Sequence, residues 1–184
     1  IEQHHVLNHI TGEEIVEKRN VLIESARIAR GNVIDLKLYE AENFDGLVIP
    51  GGFGAAKNLT KWAFNGPDGE INKDVQSAII NSVKAKIPIV GLCMGPTVIA
   101  RALAGSGIST HLTVGTTAEP SPYDIAATTE GMVKTGVVAE MKTIREIAID
   151  FENKIITAPC YMMEANILQI RNNVKQAVDA MFDL

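Results

Sequence analysis

Two periodicities divide this chain of 184 residues. Short apolar runs bounded by glycine, proline or asparagine mark strands, and apolar residues recurring every three or four positions mark helices. Asn20 is placed to cap a helix over 21–30, with Leu22, Ala26 and Ala29 on one face and Gly31 as its stop. Residues 32–38 alternate enough to predict a strand, and Asp45-Gly46-Leu47-Val48-Ile49 predicts another. Asn72 caps a predicted helix from Lys73 to about Lys86, in which Val75, Ile79 and Val83 recur every four residues. The apolar run 87–90 follows as a strand, and a helical segment opens at Pro96 and ends near Gly105 to Gly107. Strands are predicted at 110–114, 137–141, 146–151 and 155–157, with Glu152-Asn153-Lys154 as a hairpin turn between the last two. Residues 120–131 read as a short helix or loop. From Met162 to Phe182 an amphipathic helix puts Ile167, Ile170, Val174, Ala177 and Met181 on one side. Strands alternating with helices predict an α/β fold, a mostly parallel sheet between helical layers with an antiparallel excursion near the C-terminal end. Ligands in such folds bind at the carboxyl ends of the strands.

Two strand ends carry the candidate chemistry. Gly91-Leu92-Cys93-Met94-Gly95 joins the run 87–90 to the helix opened by Pro96, so Cys93 occupies a sharp strand-to-helix turn with a glycine two residues to either side. This is the thiol form of the nucleophile elbow, in which side chains at the flanking positions would strike neighbouring backbone. Pro96 suits a first helical turn, and the N-terminus of that helix favours thiolate over thiol at Cys93. The competing reading is a buried, inert cysteine. The second stretch, Pro50-Gly51-Gly52-Phe53-Gly54, also follows a strand. It lacks the ending of a Walker loop and the full dinucleotide-binding spacing. It reads as a tight turn or, beside the elbow, as a source of backbone N–H groups for a developing oxyanion at Gly51 and Gly52, together with Met94.

Composition narrows the classes. Hydrophobic residues at 46% and charged residues at 21% are ordinary for a globular protein of one-domain size. A formal charge of −5 and no Lys/Arg cluster argue against a nucleic-acid partner. No apolar stretch is long enough to span a bilayer, and the first residues lack the features of a signal peptide. The two cysteines, Cys93 and Cys160, lie far apart, form no disulfide framework and suit a reducing cytoplasm. His4, His5 and His9 without fixed ligand spacing read as a surface turn or tail rather than a metal site. His111 lies on a predicted strand, where it acts as a base, faces solvent or packs in the core; Cys160 and Lys57 are further candidates for the site.

The chain resembles the class I glutamine-amidotransferase-like superfamily and, within it, the enhancing-lycopene-biosynthesis family of isoprenoid biosynthesis proteins with an amidotransferase-like domain. The resemblance is carried by residues 8–13, 19–24 and 29–31, by Pro50-Gly51-Gly52-Phe53-Gly54-Ala55-Ala56-Lys57-Asn58-Leu59, by the elbow, and by Thr157-Ala158-Pro159-Cys160-Tyr161-Met162. It implies a flavodoxin-like three-layer sandwich over residues 1–184 as one domain without the family's first strand and helix, whose acidic loop residue has no counterpart here. It implies Cys93 as the elbow cysteine, with Gly51, Gly52 and Met94 as oxyanion-region backbone. Glutamine amidotransferases use a later histidine and glutamate in the region of Pro159-Cys160-Tyr161, so their triad is not assembled in this chain. Some relatives are cofactor-independent glyoxalases. The expectation is therefore a cytoplasmic, cofactor-free and metal-free enzyme, homodimeric like many of its superfamily, acting through Cys93 on a small carbonyl such as glyoxal or methylglyoxal. The alternative is a non-catalytic or weakly catalytic binding or redox-sensing protein connected with isoprenoid metabolism.

Overall fold

The computed structural model describes residues 1–184. The chain forms two compact units, Ile1–Tyr39 and Glu40–Leu184. In the first unit, β1 (Val6–Leu7) and β2 (Glu14–Ile15) pair antiparallel, where the sequence predicts a turn or tail. Helix α1 (Val21–Ala29) is capped as expected, Asn20 accepting from the Leu22 and Ile23 N–H groups at 3.0 and 3.3 Å. Residues 32–38 are not a strand. They hold a single 3-10 turn at Leu36–Leu38, opened by Asp35, whose carboxylate accepts the Lys37 N–H. Alternation stabilises a strand only when a neighbour takes up its backbone groups, and no strand pairs with this stretch.

The second unit is built on a four-stranded sheet in the order β3 (Leu47–Ile49), β4 (Ile89–Leu92), β8 (Ile155–Ala158), β7 (Ala148–Asp150). The first three strands are parallel, with Leu47 opposite Ile89 and Ile89 opposite Ile155, and β7 returns antiparallel through the hairpin turn at 152–154. Beside it β5 (His111–Gly115) and β6 (Val138–Met141) form a parallel pair. Side chains tie β5 to the larger sheet: the Thr113 N–H donates to Thr157 Oγ1 at 2.9 Å, and the His111 N–H to the Asp150 carboxylate at 3.3 Å.

Period-two alternation in β4 and β8 sends side chains to two cores. Ile89 and Ile155 face α4 (Lys73–Lys84), α5 (Gly95–Leu103) and α6 (Ile125–Lys134), where Ile79, Val98, Ile99, Leu103, Leu112 and Met132 pack around them. Val90, Leu92, Ile156 and Ala158 face α7 (Ile167–Met181) through Ile170 and Ala177. This is the α/β sandwich expected from the sequence. Asn72 caps α4 through the Asp74 and Val75 N–H groups, and Val75, Ile79 and Val83 are all buried. The last helix starts five residues later than its apolar pattern suggests. Asn166 and Gln169 form a capping box at its start, Ile167 is 72% exposed, and a 3-10 turn at Cys160–Met162 precedes it.

Between β3 and α4 the chain winds through a helical turn α2 (Gly52–Gly54), a π-helical stretch Ala55–Leu59, a short helix α3 (Trp62–Asn65) and a 3-10 turn at Gly66–Asp68. Trp62 is buried here against Gly131 of α6, where a Cβ would lie 3.2 Å from the indole.

Candidate active site

The elbow forms because the residues around Cys93 are small enough to let three pieces of backbone meet. A Cβ on Gly91 would lie 2.7 Å from the Ile99 side chain, and one on Gly95 would lie 2.5 Å from the Ile49 carbonyl oxygen. Cys93 itself has φ 56°, in the left-handed region that non-glycine residues adopt rarely and usually under constraint. Its N–H donates to the Ala158 carbonyl at 3.0 Å, so the turn is pinned to the end of β8. Met94 then caps α5, with Pro96 in the first turn as expected.

The glycine-rich loop meets this turn directly. A Cβ on Gly51 would lie 2.3 Å from the Leu92 carbonyl oxygen and 2.7 Å from the Met94 nitrogen. Gly52 faces the other way: with φ 78°, it has no atom within 4 Å of the Cβ position. Backbone N–H groups from Gly52, Met94 and Tyr161 are directed at the Cys93 sulfur. Gly51, Gly52 and Met94 therefore come together at Cys93, and Tyr161 supplies a third donor that the sequence reading missed. Its position was implicit in Thr157-Ala158-Pro159-Cys160-Tyr161, and only the pairing of β8 with β4 places it beside the elbow.

The electrostatics correct one expectation. Burial, the largest influence, pushes the Cys93 thiol above its ordinary value, against the three N–H donors, which favour the thiolate. The helix N-terminus does not produce a low-pKa thiol here. None of the groups acting on Cys93 is a charged side chain.

The further candidates separate. Cys160 is buried beside Cys93; burial and then the Cys93 charge push its thiol up to about 12, against the smaller opposing influence of the nearby Cys93 backbone. A second thiol thus stands in the region where glutamine amidotransferases carry their histidine. His111 is not the base. It sits at the first residue of β5, tied through its N–H to Asp150, which pairs with Ile155 at the start of β8. Cys93 lies past the opposite ends of the strands, about 13 Å away at about 3.3 Å per residue. The His111 ring instead pairs with Glu140 at 3.0 Å. Lys57 lies near the glycine loop with its ammonium 5.3 Å from the Phe53 ring centre, and Phe53 meets Tyr123 edge-on at 6.1 Å. No group of three or more His, Cys, Asp or Glu side chains comes together to hold a metal ion.

A cysteine elbow at the carboxyl edge of a parallel sheet, faced by a glycine-rich loop, defines an amidotransferase-like α/β domain. Residues 13–176 match the family described as Glutamine amidotransferase class-I, and the chain belongs to it. It is 37% identical over 188 residues to the ES1 protein homolog, mitochondrial, of Rattus norvegicus, covering 100% of this chain and 68% of that protein. The human Glutamine amidotransferase-like class 1 domain-containing protein 3, mitochondrial, is also 37% identical with the same coverage. Among solved structures, the isoprenoid biosynthesis protein with amidotransferase-like domain from Ehrlichia chaffeensis superposes with a TM-score of 0.86 at 29% identity, covering 100% of this chain and 79% of that one. The flavodoxin-like, amidotransferase-like fold expected from the motifs is the fold found. The cytoplasmic expectation is corrected: these curated relatives are mitochondrial proteins, and a reduced cysteine pair does not separate the two compartments.

Proposed function

We propose that this protein is a cysteine-dependent enzyme that converts small reactive dicarbonyls, such as glyoxal or methylglyoxal, to hydroxy acids without a cofactor. The observation that carries the reading is the convergence of the Gly52 and Met94 N–H groups on Cys93, next to the open space over Gly52. The Cys93 sulfur adds to the aldehyde carbon, and the carbonyl oxygen becomes the hydroxyl of a hemithioacetal. Backbone donors already aimed at the sulfur lie beside that oxygen and need no reorganisation as charge develops on it. The proton on the former aldehyde carbon then moves to the neighbouring carbon while the hemithioacetal hydroxyl proton passes to the neighbouring carbonyl oxygen, which turns the hemithioacetal into a thioester. Water hydrolyses the thioester, releasing the hydroxy acid and restoring the thiol. With no charged side chain acting on Cys93, water carries the proton, and the rate climbs with pH.

The test is methylglyoxal consumption by the wild-type chain and by Cys93→Ala, with the hydroxy acid followed by NMR. The expected result is product formation that falls to the buffer rate in the variant. Full consumption by Cys93→Ala overturns the reading. A second reading, a binding protein that keeps the pocket with little turnover, is favoured by the raised Cys93 thiol. It predicts that methylglyoxal adds reversibly to Cys93, seen as an adduct mass, without hydroxy acid appearing.

A further inference from the structure

Carbonyl chemistry at Cys93 leaves the second cysteine without a role, although the fold delivers both to one place. Strands β4 and β8 are parallel neighbours with Leu92 opposite Ala158, so Cys93 and Cys160 follow paired positions by one and two residues. The two strands lie about 4.8 Å apart, and beyond their ends Cys160 and Cys93 pack in one buried cluster, the neighbourhood that a disulfide with Cα atoms about 4.4–6.8 Å apart requires. Both cysteines adopt left-handed backbone, φ 56° and 49°, so two tight turns close over the same sheet edge. Each sulfur lies near the other's turn: the Cys93 N–H, which donates to the Ala158 carbonyl, also acts on the Cys160 sulfur, and the Tyr161 N–H acts on the Cys93 sulfur. Buried Asn173 fixes the second turn, accepting the Cys160 N–H and donating to the Glu146 carbonyl, both at 2.9 Å. Cys93 is half-buried and reachable, whereas Cys160 is 2% exposed.

We propose that Cys93 and Cys160 form a redox-active dithiol site that reduces hydroperoxides and closes as an intramolecular disulfide. The Cys93 thiolate attacks the terminal peroxide oxygen; the O–O bond breaks, giving a sulfenic acid at Cys93 and releasing an alcohol, or water when the peroxide is hydrogen peroxide. The Cys160 sulfur then attacks the Cys93 sulfur, the S–S bond forms, and the hydroxyl departs with the Cys160 proton as water. Two thiols lose two electrons and two protons, and the peroxide takes up both. Sulfenic acid is neutral, so the first step removes the smaller of the two influences that hold Cys160 protonated, while burial, the larger, remains. The disulfide, once closed, protects Cys93 from irreversible oxidation. The inference does not rest on carbonyl turnover and is read without any carbonyl substrate.

The test treats the folded chain with one equivalent of hydrogen peroxide, blocks remaining thiols with N-ethylmaleimide and maps peptides without reduction. The expected product has an intact mass lower by two hydrogens, a Cys93–Cys160 cross-linked peptide, and full recovery of both thiols with dithiothreitol. Cys160→Ser is expected to trap Cys93 as a dimedone-reactive sulfenic acid and carry it to sulfinic acid at a dose that leaves wild type as the disulfide. Cys93→Ser is expected to leave Cys160 reduced. Sulfinic acid at Cys93 of the wild-type chain with Cys160 still free overturns the proposal. So does a wild-type chain that stays fully reduced under excess peroxide. Both of those results come from the unmodified sequence and do not depend on a variant folding.

Discussion

Gly51 and Gly52 are adjacent, both have positive φ, and the structure assigns them very different tolerance for a methyl group. In Gly51→Ala the backbone stays at φ 84°, ψ −138°, a region essentially reserved for glycine, at a cost of about 1–3 kcal/mol. The new Cβ also lies 2.3, 2.7 and 2.9 Å from the Leu92 oxygen and the Met94 and Gly95 nitrogens. All three atoms belong to the backbone of the elbow, so relief means moving the loop or the end of β4, which adds about 1–3 kcal/mol as overpacking does elsewhere. The sum, about 2–6 kcal/mol, is a large share of a typical domain's stability. Gly52→Ala meets no atom within 4 Å and carries only the cost of its backbone conformation, about 1 kcal/mol. Urea denaturation followed by far-UV circular dichroism measures both. A Gly51→Ala midpoint equal to that of Gly52→Ala, or either variant losing the opposite amount, would refute the idea that the loop and elbow are locked backbone to backbone.

Alkylation of Cys93 against pH, read by peptide mass spectrometry, is expected to show a thiolate that appears above the free-thiol pKa of about 8.5, because burial outweighs the three N–H donors; a midpoint below that value contradicts the site as described. The same protonated, buried thiol makes the native state bind its proton more tightly than the unfolded chain does. Stability should then fall as pH rises from the free-thiol value toward the raised native one. Asn173→Ala strips the partners from the Cys160 N–H and the Glu146 carbonyl, and urea unfolding should register a loss of about 2–3 kcal/mol with faster alkylation of Cys160; an unchanged Cys160 rate would show that Asn173 does not hold that turn.

The elbow was legible in the sequence because its signal is local. Glycines two residues either side of Cys93, an apolar run before and Pro96 after describe a single turn, and the clashes at Gly91 and Gly95 are its geometric counterpart. The caps at Asn20 and Asn72 were legible for the same reason. The capping box of Asn166 and Gln169 carried an equally local signal, but apolar residues at 162 and 163 continue the helical pattern upstream and mask it. What the sequence did not disclose depends on strand order. Residues 32–38 have the alternation of a strand and no partner, and His111 has the chemistry of a base at the wrong end of the sheet. Tyr161 and Cys160 reach Cys93 only because β8 lies next to β4. The direction of the Cys93 thiol was misjudged because a helix N-terminus is visible in sequence and the extent of burial is not.

Trp62 is the chain's one tryptophan, and its place gives the molecule an internal reporter. Trp62 lies on the segment that leaves the glycine-rich loop, its indole against Gly131 of α6, where Pro67 also packs, and its backbone N–H donates to Thr60 Oγ1 at 3.2 Å. An event that moves this segment away from α6 exposes the buried ring to water. Its emission, shifting to longer wavelength on exposure, therefore follows the opening of the segment after the glycine-rich loop optically, in real time and without a label.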